Sequence, residues 1–119
     1  MERENLVIVP TYNEAGNLAE LMAELDPISG QFDCLMVDDS SPDGTGKKIQ
    51  ELQATRPWLH LLERPAKKGL GKAYLAGFRW ALERPYRCIA EMDADLSHNP
   101  RDLPSLAARC REGYDLVIG

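Results

Sequence analysis

The apolar pattern of this chain changes period repeatedly from one end to the other. Leu6-Val7-Ile8-Val9 is an unbroken apolar run closed by Pro10, as expected of a strand buried on both faces. Leu18, Leu21, Met22 and Leu25 then fall at i, i+3, i+4 and i+7, which is one face of a helix. Residues 32–37 read as a second strand, ending in Asp38-Asp39, and Ile49 and Leu52 point inward from a short helix. Residues 59–62 form a third strand. Tyr74, Leu75, Phe78, Ala81 and Leu82 are expected on the inner face of a third helix, ahead of a fourth strand over 88–92. Asn99 and Pro100 suit the cap and first position of a fourth helix, with Leu103, Leu106, Ala107 and Cys110 inward, and residues 116–118 start a fifth strand. Such alternation requires crossover connections, hence an α/β fold with a mostly parallel sheet and helices on both faces.

With 119 residues the chain fits one domain over 1–119. It stops at Gly119, straight after the fifth strand and without a covering helix, so a fold truncated at that point is expected. The net charge is −5, which argues against nucleic acid as a partner, because phosphate backbones call for basic surfaces. The acidity is uneven: 11 acids meet 4 bases in residues 1–60, and 8 meet 10 in residues 61–119. No run approaches the roughly eighteen apolar residues of a spanning helix. The amino terminus lacks the basic segment of a secretory signal. Cys34, Cys88 and Cys110 form no C-x-x-C pair; they read as core thiols in a reducing cytoplasm rather than a disulfide or zinc framework.

In open parallel sheets, ligands bind beyond the carboxyl ends of the strands, and the polar segments fall there. Asp93-Ala94-Asp95 follows the fourth strand. Carboxylates at i and i+2 of an extended segment share a side. They could hold Mg²⁺ or Mn²⁺, which leave other positions to water and phosphate oxygens, or form an acidic turn before the next helix. Asp39 is a candidate acceptor for ribose hydroxyls or a base N–H, whereas Asp43 and Ser41 better suit helix capping. Tyr12 offers a face for a base and Glu14 an acceptor, although Pro10 to Glu14 also reads as a turn into a helix. Lys67-Lys68-Gly69-Leu70-Gly71-Lys72 suits an anionic phosphate or a solvated loop. Neither G-x-G-x-x-G nor G-x-x-x-x-G-K-[ST] occurs, which removes the main support for a nicotinamide site or a P-loop.

Taken together, Pro10-Thr-Tyr-Asn-Glu14, Val37-Asp-Asp-Ser-Ser-Pro-Asp-Gly44, Gly69-Leu-Gly71 with Ala73 to Leu82, and Glu91-Met-Asp-Ala-Asp-Leu-Ser-His98 resemble the polyprenol-monophosphate mannosyltransferases. These are the dolichol-phosphate mannose synthases of glycosyltransferase family 2. The resemblance implies a GT-A type nucleotide-diphospho-sugar transferase fold, here the nucleotide-sugar-binding part without its acceptor part. It implies inverting transfer of mannose from GDP-mannose to a polyprenyl phosphate at the cytoplasmic face of a membrane. Pro10, Tyr12, Glu14, Val37 and Asp39 would line the nucleoside pocket. Asp93, Ala94 and Asp95 would form a D-x-D motif, with Asp93 and Asp95 on Mg²⁺ or Mn²⁺ at the diphosphate. Ser97 stands where some relatives carry a Gln ligand. The acceptor phosphate is already ionised, so no catalytic base is expected, and transfer by the 119 residues alone is not expected. Peripheral membrane association would fall to the part beyond Gly119.

Two other readings compete. A family 2 enzyme using a different nucleotide sugar, such as one making polyprenyl-phosphate glucose, shares the D-x-D logic. A response-regulator receiver, a non-enzymatic switch, shares the length and acidity. Its acidic pair would end the first strand and its phospho-accepting Asp the third, however, and no Asp follows residues 59–62.

Overall fold

The computed structural model describes residues 5–65, 70–92 and 116–118, the side chains of Leu70 and 116–118 excepted. Strands β1 (Asn5–Thr11), β2 (Phe32–Asp38), β3 (Leu59–Glu63), β4 (Cys88–Glu91) and β5 (Leu116–Ile118) alternate with helices α1 (Leu18–Leu25), α2 (Thr45–Gln53) and α3 (Leu70–Leu82). All pairings are parallel, in the order β3-β2-β1-β4-β5. The expected α/β architecture is therefore present. The helix expected after Asn99 lies outside the described residues, as do Lys67, Lys68, Gly69, His98 and Cys110.

Strand order dictates which face each helix covers. The chain steps from β1 to β2 to β3 in one direction, then returns past β1 to β4. Right-handed crossovers place helices of opposite steps on opposite faces. Two cores result. Val7, Val9, Cys34, Met36, Ala90 and Met92 pack under α1 and α2 with Leu18, Leu21, Met22, Leu25 and Ile49. Leu6, Ile8, Leu35 and Val37 point the other way, against Ala73 and Ala81 of α3. The two-residue strand period and the double-sided burial of β1 and β2 are thus one fact seen twice.

Helix α3 departs from its expected face. Its buried line is Ala73, Gly77 and Ala81, with Tyr74 and Phe78 half-buried. Leu75 and Leu82 are instead 49% and 76% exposed. A Cβ at Gly77 would lie 2.7 Å from Ile8 Cγ2, so the helix comes closer to the sheet than larger inner side chains permit.

β1 also runs through Pro10 instead of stopping there. Ile8 bonds toward β4, through its carbonyl to Met92 N–H, and Thr11 toward β2, through its carbonyl to Asp39 N–H. Alternation turns Pro10 toward the β4 side. The β1–β4 ladder has ended by then, at Ile8 opposite Glu91, so the missing N–H costs no ladder bond. Cys34 and Cys88 are buried free thiols. Burial, and then the charge of Asp33, pushes the Cys34 thiol far above its ordinary range.

Candidate functional site at the carboxyl rim

The reversal of strand order leaves β1 and β4 adjacent at a topological switch point, the place where open parallel sheets bind ligands. β1 hands over there to Tyr12, Asn13 and Glu14. β4 ends at Glu91, and Met92 N–H still donates to the Ile8 carbonyl at 3.0 Å. Asp93, Ala94 and Asp95 come next in sequence and lie outside the described residues. Among the described residues, no three His, Cys, Asp or Glu side chains gather in a way that could hold a metal ion.

The loops after β1 and β2 are joined by hydroxyls and carboxylates. Register sets Thr11 opposite Asp38. The buried Asp38 carboxylate accepts from Thr11 Oγ1 at 2.7 Å, Ser41 Oγ at 2.6 Å and Ser41 N–H at 3.1 Å. Ser41 Oγ, having donated to Asp38, accepts from Asn13 N–H at 2.9 Å. Thr45 Oγ1 donates to Asp43 and accepts from Glu14 N–H at 3.0 Å. Asp43 Oδ2 accepts from Ala15 N–H at 3.1 Å. Three consecutive amides of the first loop are thereby held by side chains of the second. Such bonds satisfy loop N–H groups that no ladder serves.

The clasp imposes backbone strain. Asn13 and Ser40 sit at φ 56° and 53°, in the left-handed region that Asn tolerates better than Ser. Gly44, at φ 86°, opens α2. Ser41 does not cap that helix, contrary to expectation, because its hydroxyl bridges Asp38 and Asn13. Asp43 accepts from Thr45 N–H at 3.1 Å, one residue before the formal cap position. The Thr45 hydroxyl foremost, and then the N–H groups of Ala15 and Thr45, hold the Asp43 carboxyl below its ordinary value.

The structure brings Tyr12, Glu14 and Asp39 to this rim. Tyr12 and Pro10 are half-buried. Glu14 Oε2 accepts from Asn17 Nδ2 at 2.8 Å, tying the carboxylate to the entry of α1. Val37 is completely buried toward Gly77, so its side chain belongs to the α3 core. Asp39 is only 4% exposed, and its Oδ1 lies 3.4 Å from Arg64 Nη1. Arg64 and Thr11 had no place in the sequence reading. A cation directly after β3, with the acidic pair Asp38-Asp39 closing the strand before it, was the available signal for Arg64.

Residues 6–119 match the family model described as glycosyl transferase family 2. An undecaprenyl-phosphate mannosyltransferase of Micrococcus luteus is 50% identical over 96% of the chain and 46% of its own length. A polyprenol monophosphomannose synthase of Mycolicibacterium smegmatis is 47% identical over 98% of the chain and 44% of its own length. A dolichol-phosphate mannosyltransferase of Pyrococcus furiosus is 40% identical over 95% and 32%. The chain thus spans 32–46% of the length of these relatives. Among solved structures, the mannosyltransferase PcManGT from Pyrobaculum calidifontis, in complex with GDP-Man and Mn²⁺, superposes with a TM-score of 0.73 at 28% identity, over 92% of this chain and 32% of that one. S. aureus TarS gives 0.72 at 27%, with the same coverage. These neighbours have the GT-A type architecture expected from the sequence, and the chain belongs to glycosyltransferase family 2.

Proposed function

We propose that this chain forms the donor-binding part of an enzyme that transfers mannose from GDP-mannose to a polyprenyl phosphate. The observation that carries the reading is the clasp. It fixes the loops that carry Tyr12, Glu14 and Asp39 at the carboxyl rim of β1 and β2, the rim at which open parallel sheets bind their ligands. Relatives named for mannosyl transfer to lipid phosphates, and a neighbour holding GDP-Man and Mn²⁺, support the substrates. A lipid acceptor places the reaction at a membrane surface, here its cytoplasmic face. Among the described residues no helix is long and apolar enough to cross one.

Pro10, Tyr12, Glu14, Val37 and Asp39 take the nucleoside end: Tyr12 through its ring, Glu14 and Asp39 as acceptors, Val37 through its backbone. Asp93 and Asp95, with Ala94 between them, supply hard oxygen ligands two residues apart, a donor set that fits Mg²⁺ or Mn²⁺. A cation there would neutralise charge on the departing diphosphate. In the transfer, an acceptor phosphate oxygen forms a bond to the anomeric carbon from the face opposite the diphosphate. The carbon–oxygen bond to the diphosphate breaks, and GDP leaves with the electron pair. The nucleophile arrives ionised, so the chain need supply no general base. A rigid rim lowers the cost of ordering the donor.

Thermal denaturation with Mn²⁺ and either GDP-mannose or UDP-glucose tests the donor. GDP-mannose should raise stability by about 2.7 kcal/mol at a hundredfold excess over its dissociation constant, with UDP-glucose well behind. Equal or reversed shifts would favour a family 2 enzyme with another donor. Asp95→Ala should abolish the metal-dependent part of the GDP-mannose shift; an undiminished shift would remove Asp95 from the site.

A further inference from the structure

We propose that Arg64 is a positioning residue for the nucleoside end of the donor, acting through Asp39. The inference rests on the nucleotide-sugar reading above. Arg64 follows β3 directly, and both of its backbone polar groups are committed. Its N–H donates to the Asp38 carbonyl at 2.8 Å, and its carbonyl accepts from the Ser40 hydroxyl. With the backbone fixed between the two residues that flank Asp39, the side chain turns inward. It is 13% exposed, and Nη1 stands 3.4 Å from Asp39 Oδ1 on a side chain that is 6% exposed.

Nη1 is sealed from solvent and makes no directed hydrogen bond. What it supplies to Asp39 is therefore a near positive charge. Asp39 is also tethered through its N–H to the Thr11 carbonyl at 3.2 Å. Backbone and side chain of Asp39 are thus held from opposite neighbours, β1 and the end of β3. A carboxylate that must accept from a ribose hydroxyl or base N–H binds better when already in place, because ordering it during binding subtracts from affinity. Removing the cation takes a near positive charge away from a nearly buried carboxylate, which loosens its placement. Arg64 itself touches no ligand in this arrangement.

The test is the GDP affinity of this chain, followed by amide chemical-shift titration so that weak binding is measurable. Arg64→Met keeps the apolar stem and removes the charge; it should weaken GDP about tenfold or more. Arg64→Lys restores the charge without the fork and should recover part of the loss. In the Asp39→Asn background, Arg64→Met should cost less than about twofold, because the two residues act as a unit. A purely structural role would lower the melting temperature yet leave the affinity of the folded fraction unchanged. If Arg64→Met fails to give the parent's folded amide spectrum, Arg64→Lys carries the same comparison in both backgrounds. The inference is overturned if every folded Arg64 variant binds GDP within about twofold of the parent, or if the loss persists undiminished in the Asp39→Asn background. A parent chain with no GDP-dependent shift at all overturns the nucleotide reading itself, and this inference with it.

Discussion

β2 carries a carboxylate near each end, and the two hold different kinds of neighbour. At the amino end, Asp33 accepts from the Tyr86 hydroxyl and pairs with His60 Nε2 at 3.2 Å. The His60 ring lies 5.2 Å from Trp80, Trp80 stacks with Tyr86 at 6.3 Å, and the Arg84 guanidinium sits 3.5 Å over Trp80. Asp33, His60 and Trp80 sit on β2, β3 and α3, which the cores already fix, and Arg84 and Tyr86 on the short connection from α3 to β4, where Tyr86 packs against the α3 core. At the carboxyl end, Asp38, Ser41, Asp43 and Thr45 act on loop backbone, where no core reaches. The amino-end cluster adds stability to a settled arrangement. The rim network holds loop amides that no strand ladder serves.

The largest test of that contrast is Asp38→Ala. It strands the buried Thr11 hydroxyl and both donors of the half-buried Ser41. The expected cost is about 3 kcal/mol in urea denaturation, with loss of GDP binding. A loss below about 1 kcal/mol would mean that the loops are held by something other than this carboxylate. Tyr86→Phe comes next. It removes one hydrogen bond to a charged acceptor and should cost about 1.5 kcal/mol. GDP affinity should not change, because the site lies at the other end of the sheet and distant substitutions act independently. A matching fall in GDP affinity would show the two ends to be coupled.

How much of this was legible in the sequence differs between the same regions. The double-sided strands β1 and β2 were, because burial on both faces leaves an unbroken apolar run. The placement of Tyr12, Glu14 and Asp39 at the carboxyl rim was too, because the segments straight after such runs lie at the strands' carboxyl ends. Helix α3 was misread in part. Hydropathy favoured Leu75 and Leu82 for its inner face, yet close approach to Ile8 favours Ala73, Gly77 and Ala81. Small residues carry a weak hydropathy signal and a strong steric one. The roles of Thr11 and Arg64 were hidden for a different reason. They arise from register, Thr11 opposite Asp38 and Asp38 opposite Glu63, and register is a property of pairing that no single segment displays.

The smallest effect concerns pH, and it is read at the carboxyl end of the sheet. Asp43 is exposed, and hydrogen bonds, that from the Thr45 hydroxyl foremost, hold its folded carboxyl below the ordinary value of 3.8. Through that range the folded chain binds fewer protons at Asp43 than the unfolded chain does, so acid favours unfolding. The contribution is therefore whole above about pH 3.8 and is lost as pH falls through the lower, folded value. Asp43→Asn keeps an acceptor oxygen but mimics the protonated group, so it should be less stable than the parent near neutrality. The urea midpoints of the two proteins should converge as pH drops below 3.8. If the Asp43→Asn gap were constant instead, charge at Asp43 would contribute nothing to the clasp, and its geometry alone would hold the first loop.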